Sequence, residues 1–232
     1  MNIVAIGCHP DDLEIGCGGT LRRYADAGAQ VTMVLVANGN MGHARIMPDE
    51  LRAIRRQESE QAAQILGAEI VQLDVPDLSV DSGNSALSAR LTDVIRARNP
   101  DLIITHSPDD YMRDHAEVSH LVFDAGFNTS VPHYASEPAS PIAALYYMDT
   151  LAGVNFLPEE YVDITSEIEK KIDALEQHVS QLKWMRDHDG IDFAEFVRTC
   201  SRFRGLQCGC GYAEGFRVCR AWPRMRARRL LP

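Results

Sequence analysis

The sequence predicts an α/β fold, a mostly parallel sheet with helices on both of its faces. Three observations predict it. Short continuous apolar runs recur at Ile3-Val4-Ala5-Ile6, Val31 to Ala37 and Leu102-Ile103-Ile104-Thr105, as expected of strands covered on both sides. Amphipathic stretches alternate with them, with Gly or Pro at the boundaries. A chain of 232 residues with 45% hydrophobic content is long enough to bury such a sheet.

In chain order, about Asn2 to Gly7 reads as the first strand. A helix is expected from near Cys17, carrying Leu21, Tyr24 and Ala25 until Gly28 stops it, and Val31 to Ala37 is the next strand. These pieces make a βαβ unit with a right-handed crossover. A loop rich in Gly, Asn and Met, Asn38 to Pro48, precedes a charged helix over about Asp49 to Leu66, ended by Gly67. Ile70 to Leu73 reads as a short strand and Asn84 to Arg98 as a helix closed by Asn99-Pro100. Leu102 to Thr105 follows as a buried strand, then a helix over about Asp114 to Phe127. Beyond it, Pro132, Pro138, Pro141 and Pro158 punctuate a loop-rich segment with one strand, Ala143 to Met148. A long amphipathic helix is expected from about Ser166 to Arg186, and the stretch after it carries no assignment. No repeat or flexible linker divides the chain, so we read one domain over 1–232: a core over about 1–127 and a loop-rich, substrate-shaping part over about 128–232.

The net charge of −10 argues against a general nucleic-acid binder. Six arginines and no acids run from Arg217 to the end, read as a solvated terminus. No secretory h-region precedes the first strand, and no apolar run approaches the roughly 18 residues of a membrane span. The expected location is the cytoplasm, without stable membrane insertion. Six cysteines in a chain this long are no disulfide scaffold. Cys200, Cys208, Cys210 and Cys219 follow C-x7-C-x-C-x8-C, which lacks the paired C-x2-C knuckles of structural zinc sites, so free thiols are expected.

In a doubly wound sheet of strand order 3-2-1-4-5, ligands bind beyond the C-terminal ends of the first and fourth strands. His9 and Asp12 follow the first. His106, Asp110, Asp114 and His115 follow Leu102 to Thr105, taken as the fourth. Two histidines and a carboxylate are the three protein ligands of a catalytic zinc, and His9, Asp12 and His115 are the expected set. Asp11 is then the unused carboxylate beside the metal, the natural general base for a water whose pKa zinc lowers toward about 7. Asp114 is expected either to cap its helix or to hold the other ring nitrogen of His115. An ordinary turn is the bland account of His9-Pro10-Asp11-Asp12, and the pairing with Asp114-His115 after a second strand weighs against it. Gly16-Cys17-Gly18-Gly19 lacks the third glycine of a dinucleotide fingerprint, and the acids before it would face a pyrophosphate, so nucleotide binding ranks below metal. Those glycines instead allow close packing of helix on strand.

The stretch His9-Pro10-Asp11-Asp12-x-Glu14-x-Gly16-x-Gly18-Gly19 resembles the H-P-D-D-x-E-x-G-x-G-G signature of the LmbE-like, or PIG-L, zinc-dependent N-acetylglucosaminide deacetylases. Arg55-x-x-Glu58 with Ile65-Leu66-Gly67 is similar to the family's R-x-x-E…LG helix, His178-x-Ser180-Gln181 to its H-x-S-Q segment, and Gly211-Tyr212-Ala213-Glu214-x-Phe216 to its terminal Y-A-E-x-F. The resemblance implies a Rossmann-like fold, Zn2+ held by His9, Asp12 and His115, Asp11 as base, a small amino-sugar substrate and a homo-oligomer. It also implies that Arg55 reaches the site and helps hold substrate, and that His178 is a packing or supporting residue. One position departs from the pattern: the family reads H-x-D-H where this chain has Met112-Arg113-Asp114-His115. Methionine neither donates to an oxyanion nor protonates a leaving amine. Either His106, Tyr111 or His133 has taken that work, or the chain is a catalytically weak metal- or sugar-binding member.

Overall fold

The computed structural model describes residues 1–224. Its central element is a seven-stranded sheet built from β1 (Asn2–Gly7), β2 (Gln30–Ala37), β3 (Glu69–Val75), β4 (Leu102–Thr105), β5 (Ala144–Met148), β6 (Glu160–Asp163) and β7 (Ala213–Val218). The order is β3-β2-β1-β4-β5-β7-β6. The first five strands run parallel in the expected order 3-2-1-4-5, while β7 pairs antiparallel with both β5 and β6. The loop-rich second half therefore extends the same sheet.

Helices cover both faces. Val4, Ile6, Val34 and Val36 point to one side, where Leu87, Leu91 and Ile95 of α3 (Ser85–Arg98) and Val118, Leu121 and Val122 of α4 (Arg113–Asn128) bury them. Ile3, Ala5, Met33 and Leu35 point to the other, against Leu13, Cys17 and Leu21 of α1 (Asp12–Asp26) and Ala62, Ala63 and Leu66 of α2 (Pro48–Leu66). The period-2 alternation of buried strands thus feeds two apolar layers.

Two expectations are corrected. α1 begins at Asp12 rather than near Cys17. The Gly-rich run disfavours helix intrinsically, but each glycine is used for contact: a Cβ on Gly16 would lie 2.6 Å from Met148 Sδ, and one on Gly19 2.8 Å from Ile164. The long helix expected over about Ser166 to Arg186 is broken into α5 (Ile168–Leu175), α6 (Val179–Trp184) and a π turn at Met185–Asp189. His178, at φ −79 and ψ 58, leaves helical space at the break. Downstream, α7 (Phe193–Cys208) and β7 fill the stretch left without assignment.

The loop after α4 is held away from the crevice. Arg96 donates to the carbonyls of Asn128, Thr129, Val131, Tyr134 and Glu137, and Asp93 accepts from the backbone of Ser136 and Glu137. The arginine-rich end is also more tied than expected. Arg217 meets Ser107 Oγ at 2.9 Å and Asp109 at 2.8 Å, Arg220 lies 3.2 Å from Glu159, and Arg224 is buried against Phe123. Arg226, Arg228 and Arg229 lie outside the described residues. Among those described, no helix is long and apolar enough to cross a membrane.

Candidate active site

The crevice beyond β1 and β4 collects the two motifs. The chain leaves β1 at Gly7, and Asp11 precedes α1 at φ 103, a left-handed value that a non-glycine residue adopts at a cost of order 1–3 kcal/mol. That turn brings His9 back onto Asp12, whose Oδ2 accepts the His9 N–H at 2.6 Å. From the neighbouring strand, α4 opens at Arg113 and carries Asp114 and His115 in its first turn.

His9 Nδ1 and His115 Nε2 lie 3.3 Å apart, His9 Nδ1 and Asp12 Oδ2 3.5 Å, and His115 Nε2 and Asp12 Oδ1 3.4 Å. Tetrahedral bonds of 2.0–2.1 Å require donors about 3.3–3.4 Å apart, so the two ring nitrogens and the Asp12 carboxylate, which meets each of them through a different oxygen, suit a zinc-sized cation. Tautomers agree. His9 Nε2 faces Asp114 Oδ2 at 3.4 Å and His115 Nδ1 faces Asp110 Oδ2 at 3.0 Å. With protons on those outer nitrogens, the inner lone pairs of both rings point at the shared space.

Charge in the crevice favours a cation. Burial opposes charge on His115, but Asp12 and Asp110 outweigh it and raise its pKa to about 9. Burial likewise opposes charge on His9, and Asp114 and Asp12 push its pKa well above the usual histidine range. Without a metal the carboxylates would draw protons onto both rings. Burial raises Asp11 to about 6 against the pull of Arg55, while Asp12 is held well below the usual range by His115 and His106 despite its burial.

The remaining candidates separate cleanly. Two possible donor groups share Asp12, one with Cys8 and His9 and one with His106 and His115, but His106 Nε2 accepts the Cys8 N–H at 2.9 Å and its ring stacks on His115 at 4.0 Å. Burial and the neighbouring His115 lower His106 to about 4, in keeping with a neutral ring that has spent its lone pair. Tyr111 is 51% exposed beside Asp110. His133 sits past the far end of α4, a 16-residue helix of about 24 Å, and so away from the crevice. Asp114 neither caps α4 nor orients His115: its Oδ2 takes the Leu78 N–H at 2.8 Å and faces His9. The residue that holds His115 is Asp110, which sequence reasoning noticed but gave no role; its position five residues before the histidine was the available signal.

Arg55 is buried, not a solvated charge. It donates to the carbonyls of Pro10 and Gly39 and lies 3.3 Å from Asp11 Oδ2. Its partner motif residue, Glu58, accepts from Ser180 N at 2.8 Å and Ser180 Oγ at 2.7 Å. This holds the segment in which His178 Nε2 lies 3.3 Å from Glu14. Glu214 closes the set, accepting from Gly19 N, Thr20 N and the buried Lys171.

The family model for PIG-L, described as GlcNAc-PI de-N-acetylase, matches residues 4–126. The chain belongs to the PIG-L family. A diacetylchitobiose deacetylase of Thermococcus kodakarensis is 28% identical to this family member over 228 residues, covering 93% of this chain and 82% of the relative. The structure of the N,N'-diacetylchitobiose deacetylase of Pyrococcus horikoshii, complexed with an inhibitor, superposes with a TM-score of 0.82 at 28% identity, covering 94% of this chain and 83% of that one. A 4-oxalmesaconate hydratase of Pseudomonas putida is 26% identical over 194 residues, covering 75% of this PIG-L chain and 71% of the relative.

Proposed function

We propose that this chain is a zinc-dependent hydrolase that removes an N-acetyl or other N-acyl group from an amino sugar or an amino-sugar conjugate. The observation that carries the reading is the convergence of His9 Nδ1 and His115 Nε2, 3.3 Å apart, on the Asp12 carboxylate, whose Oδ2 and Oδ1 lie 3.5 and 3.4 Å from them, with Asp11 close enough to feel both Asp12 and His9. The deacetylase relatives support the substrate class. Bound by these donors, Zn2+ would polarise an amide carbonyl and lower the pKa of a nearby water to about 7.

The chain's own residues do the rest. Asp11 takes the proton that the water gives up as its oxygen bonds to the amide carbon, and returns a proton to the nitrogen as the C–N bond breaks. Acetate and the free amine leave. Arg55 holds Asp11 in its strained turn rather than gripping substrate, Asp114 orients His9, and Asp110 orients His115. His106 buttresses the ring of His115, and His178, itself held near Glu14, favours the ionised form of Asp11 by its charge. Tyr111 is the remaining donor for the developing oxyanion where the family histidine is replaced by Met112. Metal analysis of the purified protein, with an acetate-release screen over N-acetylated amino sugars, tests the reading. About one zinc per chain and release from at least one substrate are expected. A zinc-loaded protein that releases nothing, and still releases nothing as Met112→His, would reject it in favour of a metal- or sugar-binding role.

Met112 and the hydratase relative favour a second reading, addition of water to an activated double bond. That reaction has no leaving amine to protonate, so the missing histidine costs it less. Ultraviolet-monitored hydration of an unsaturated dicarboxylate, set beside the acetate screen, separates the two. The reading also takes the chain as a cytoplasmic homo-oligomer; a monomer mass by light scattering at micromolar concentration would remove the oligomer.

A further inference from the structure

Far along the chain from the crevice motifs, two thiols stand together. α7 ends at Cys208, Gly209 caps it at φ 83, and Cys210 follows. Cys208 Sγ and Cys210 Sγ are 3.6 Å apart, with Cys208 exposed, Cys210 half-buried and both free. A disulfide needs its sulfurs at about 2.05 Å, so closure requires an approach of about 1.5 Å. Side-chain rotation of the exposed Cys208 can supply it. The left-handed backbone at Gly209 turns the chain so that both side chains meet, and nothing lies within 4 Å of a Cβ placed there.

We infer that Cys208 and Cys210 are a dithiol site that a hydroperoxide converts to an intramolecular disulfide. The two steps balance. The Cys208 thiolate attacks the peroxide oxygen, breaking the O–O bond to give a sulfenic acid and, with hydrogen peroxide, hydroxide that takes up a proton as water. Cys210 sulfur then attacks the Cys208 sulfur, expelling a second water. Two thiols and one hydrogen peroxide become one disulfide and two waters. Exposure assigns the first step to Cys208.

The bridge would lock a turn on which β7 depends. The carbonyls of Cys210 and Gly211 press on Gly205, where a Cβ would meet them at 2.8 and 2.7 Å. Tyr212, next along, donates to Thr165 Oγ1 at 3.1 Å and accepts from Ile164 N at 3.0 Å. Two residues later Glu214 grips α1.

The experiment treats the reduced, folded full chain with hydrogen peroxide, blocks remaining thiols and maps the tryptic peptide 205–217. The expected result is a peptide lighter by two hydrogens, restored by dithiothreitol, with an unchanged chain mass on a non-reducing gel. In Cys210→Ser the intermediate is expected to persist as a dimedone-trapped sulfenic acid on Cys208, and Cys208→Ser should give neither product. Both thiols found alkylated after peroxide treatment would overturn the inference, as would a Cys208 paired with a second chain or oxidised past sulfenic acid in the wild type.

Discussion

Asp110→Asn tests the metal reading at a residue that touches no substrate. In the native chain Asp110 Oδ2 faces His115 Nδ1 at 3.0 Å while Oδ1 accepts the Met112 N–H at 2.9 Å. Asparagine has one acceptor and one donor in that place, so it cannot serve both N–H groups. If its oxygen keeps Met112, its NH2 faces Nδ1 and drives the ring proton to Nε2, against the cation. If its oxygen keeps His115, the Met112 amide loses its partner at the start of α4. Loss of an outer hydrogen-bond partner of a metal-bound histidine weakens binding by about 10- to 100-fold, or about 1.4–2.8 kcal/mol. The assay is competition for zinc against a chromophoric chelator, with circular dichroism to confirm folding. A variant that folds and binds zinc within about threefold of wild type would refute both the tautomer argument and the assignment of His115.

Asp11→Ala should keep its zinc while turnover falls by at least about 100-fold, a general base being worth about that or more; a variant with wild-type turnover removes Asp11 from the chemistry. Lys171 is 1% exposed with Nζ 2.7 Å from Glu214 Oε1, so Lys171→Met strands a buried carboxylate. Urea denaturation should show a loss of about 3–5 kcal/mol, part of it recovered in Lys171→Met with Glu214→Gln; a single-variant loss under about 1 kcal/mol contradicts the buried pair. Burial is the largest single influence on Asp93 and raises it, but the N–H groups of Glu137 and Ser136 together outweigh that and hold it below the usual carboxylate range. A depressed carboxylate stabilises above its unfolded pKa of about 3.9 and loses that stabilisation as pH falls through the folded value. Protease cleavage within residues 130–140 should therefore rise only below about pH 4 in wild type and be high at neutral pH in Asp93→Ala; equal rates at pH 7 would count against the tether.

The sheet was legible because its signal is periodic. Buried parallel strands are apolar throughout, so β1, β2 and β4 stand out at nearly their observed bounds, and the order 3-2-1-4-5 followed from the doubly wound pattern. What escaped was decided by contact rather than pattern. The expected helix start near Cys17 comes too late, because α1 begins at Asp12 and includes Gly16, Gly18 and Gly19, with Met148 and Ile164 occupying the space that side chains at Gly16 and Gly19 would need. The break at His178 escaped for the converse reason. Residues 166–186 have helical periodicity throughout, and what interrupts them is Glu58, 122 residues away, taking the backbone N–H and hydroxyl of Ser180.

At the site, the ligand types were legible but the supporting pairs were not, because a carboxylate on α4 can turn toward any of several rings. Asp114, expected beside His115, faces His9 instead, and Asp110, which had no expected partner, takes His115. The later motifs gain their meaning from the same source. Arg55 lies against Asp11, Glu58 holds the segment of His178, and Glu214 holds α1 two turns beyond Asp12. Each is a buried charge whose partner is in, or directly supports, the His9 to Gly19 stretch. A charge buried without its partner costs several kcal/mol, so Arg55 in particular depends on Asp11 of the first motif. Asp11→Ala, which leaves the buried Arg55 without its carboxylate, should therefore lower stability as well as turnover, whereas Glu58 and Glu214 keep Ser180, the Gly19 and Thr20 N–H groups and Lys171 as partners.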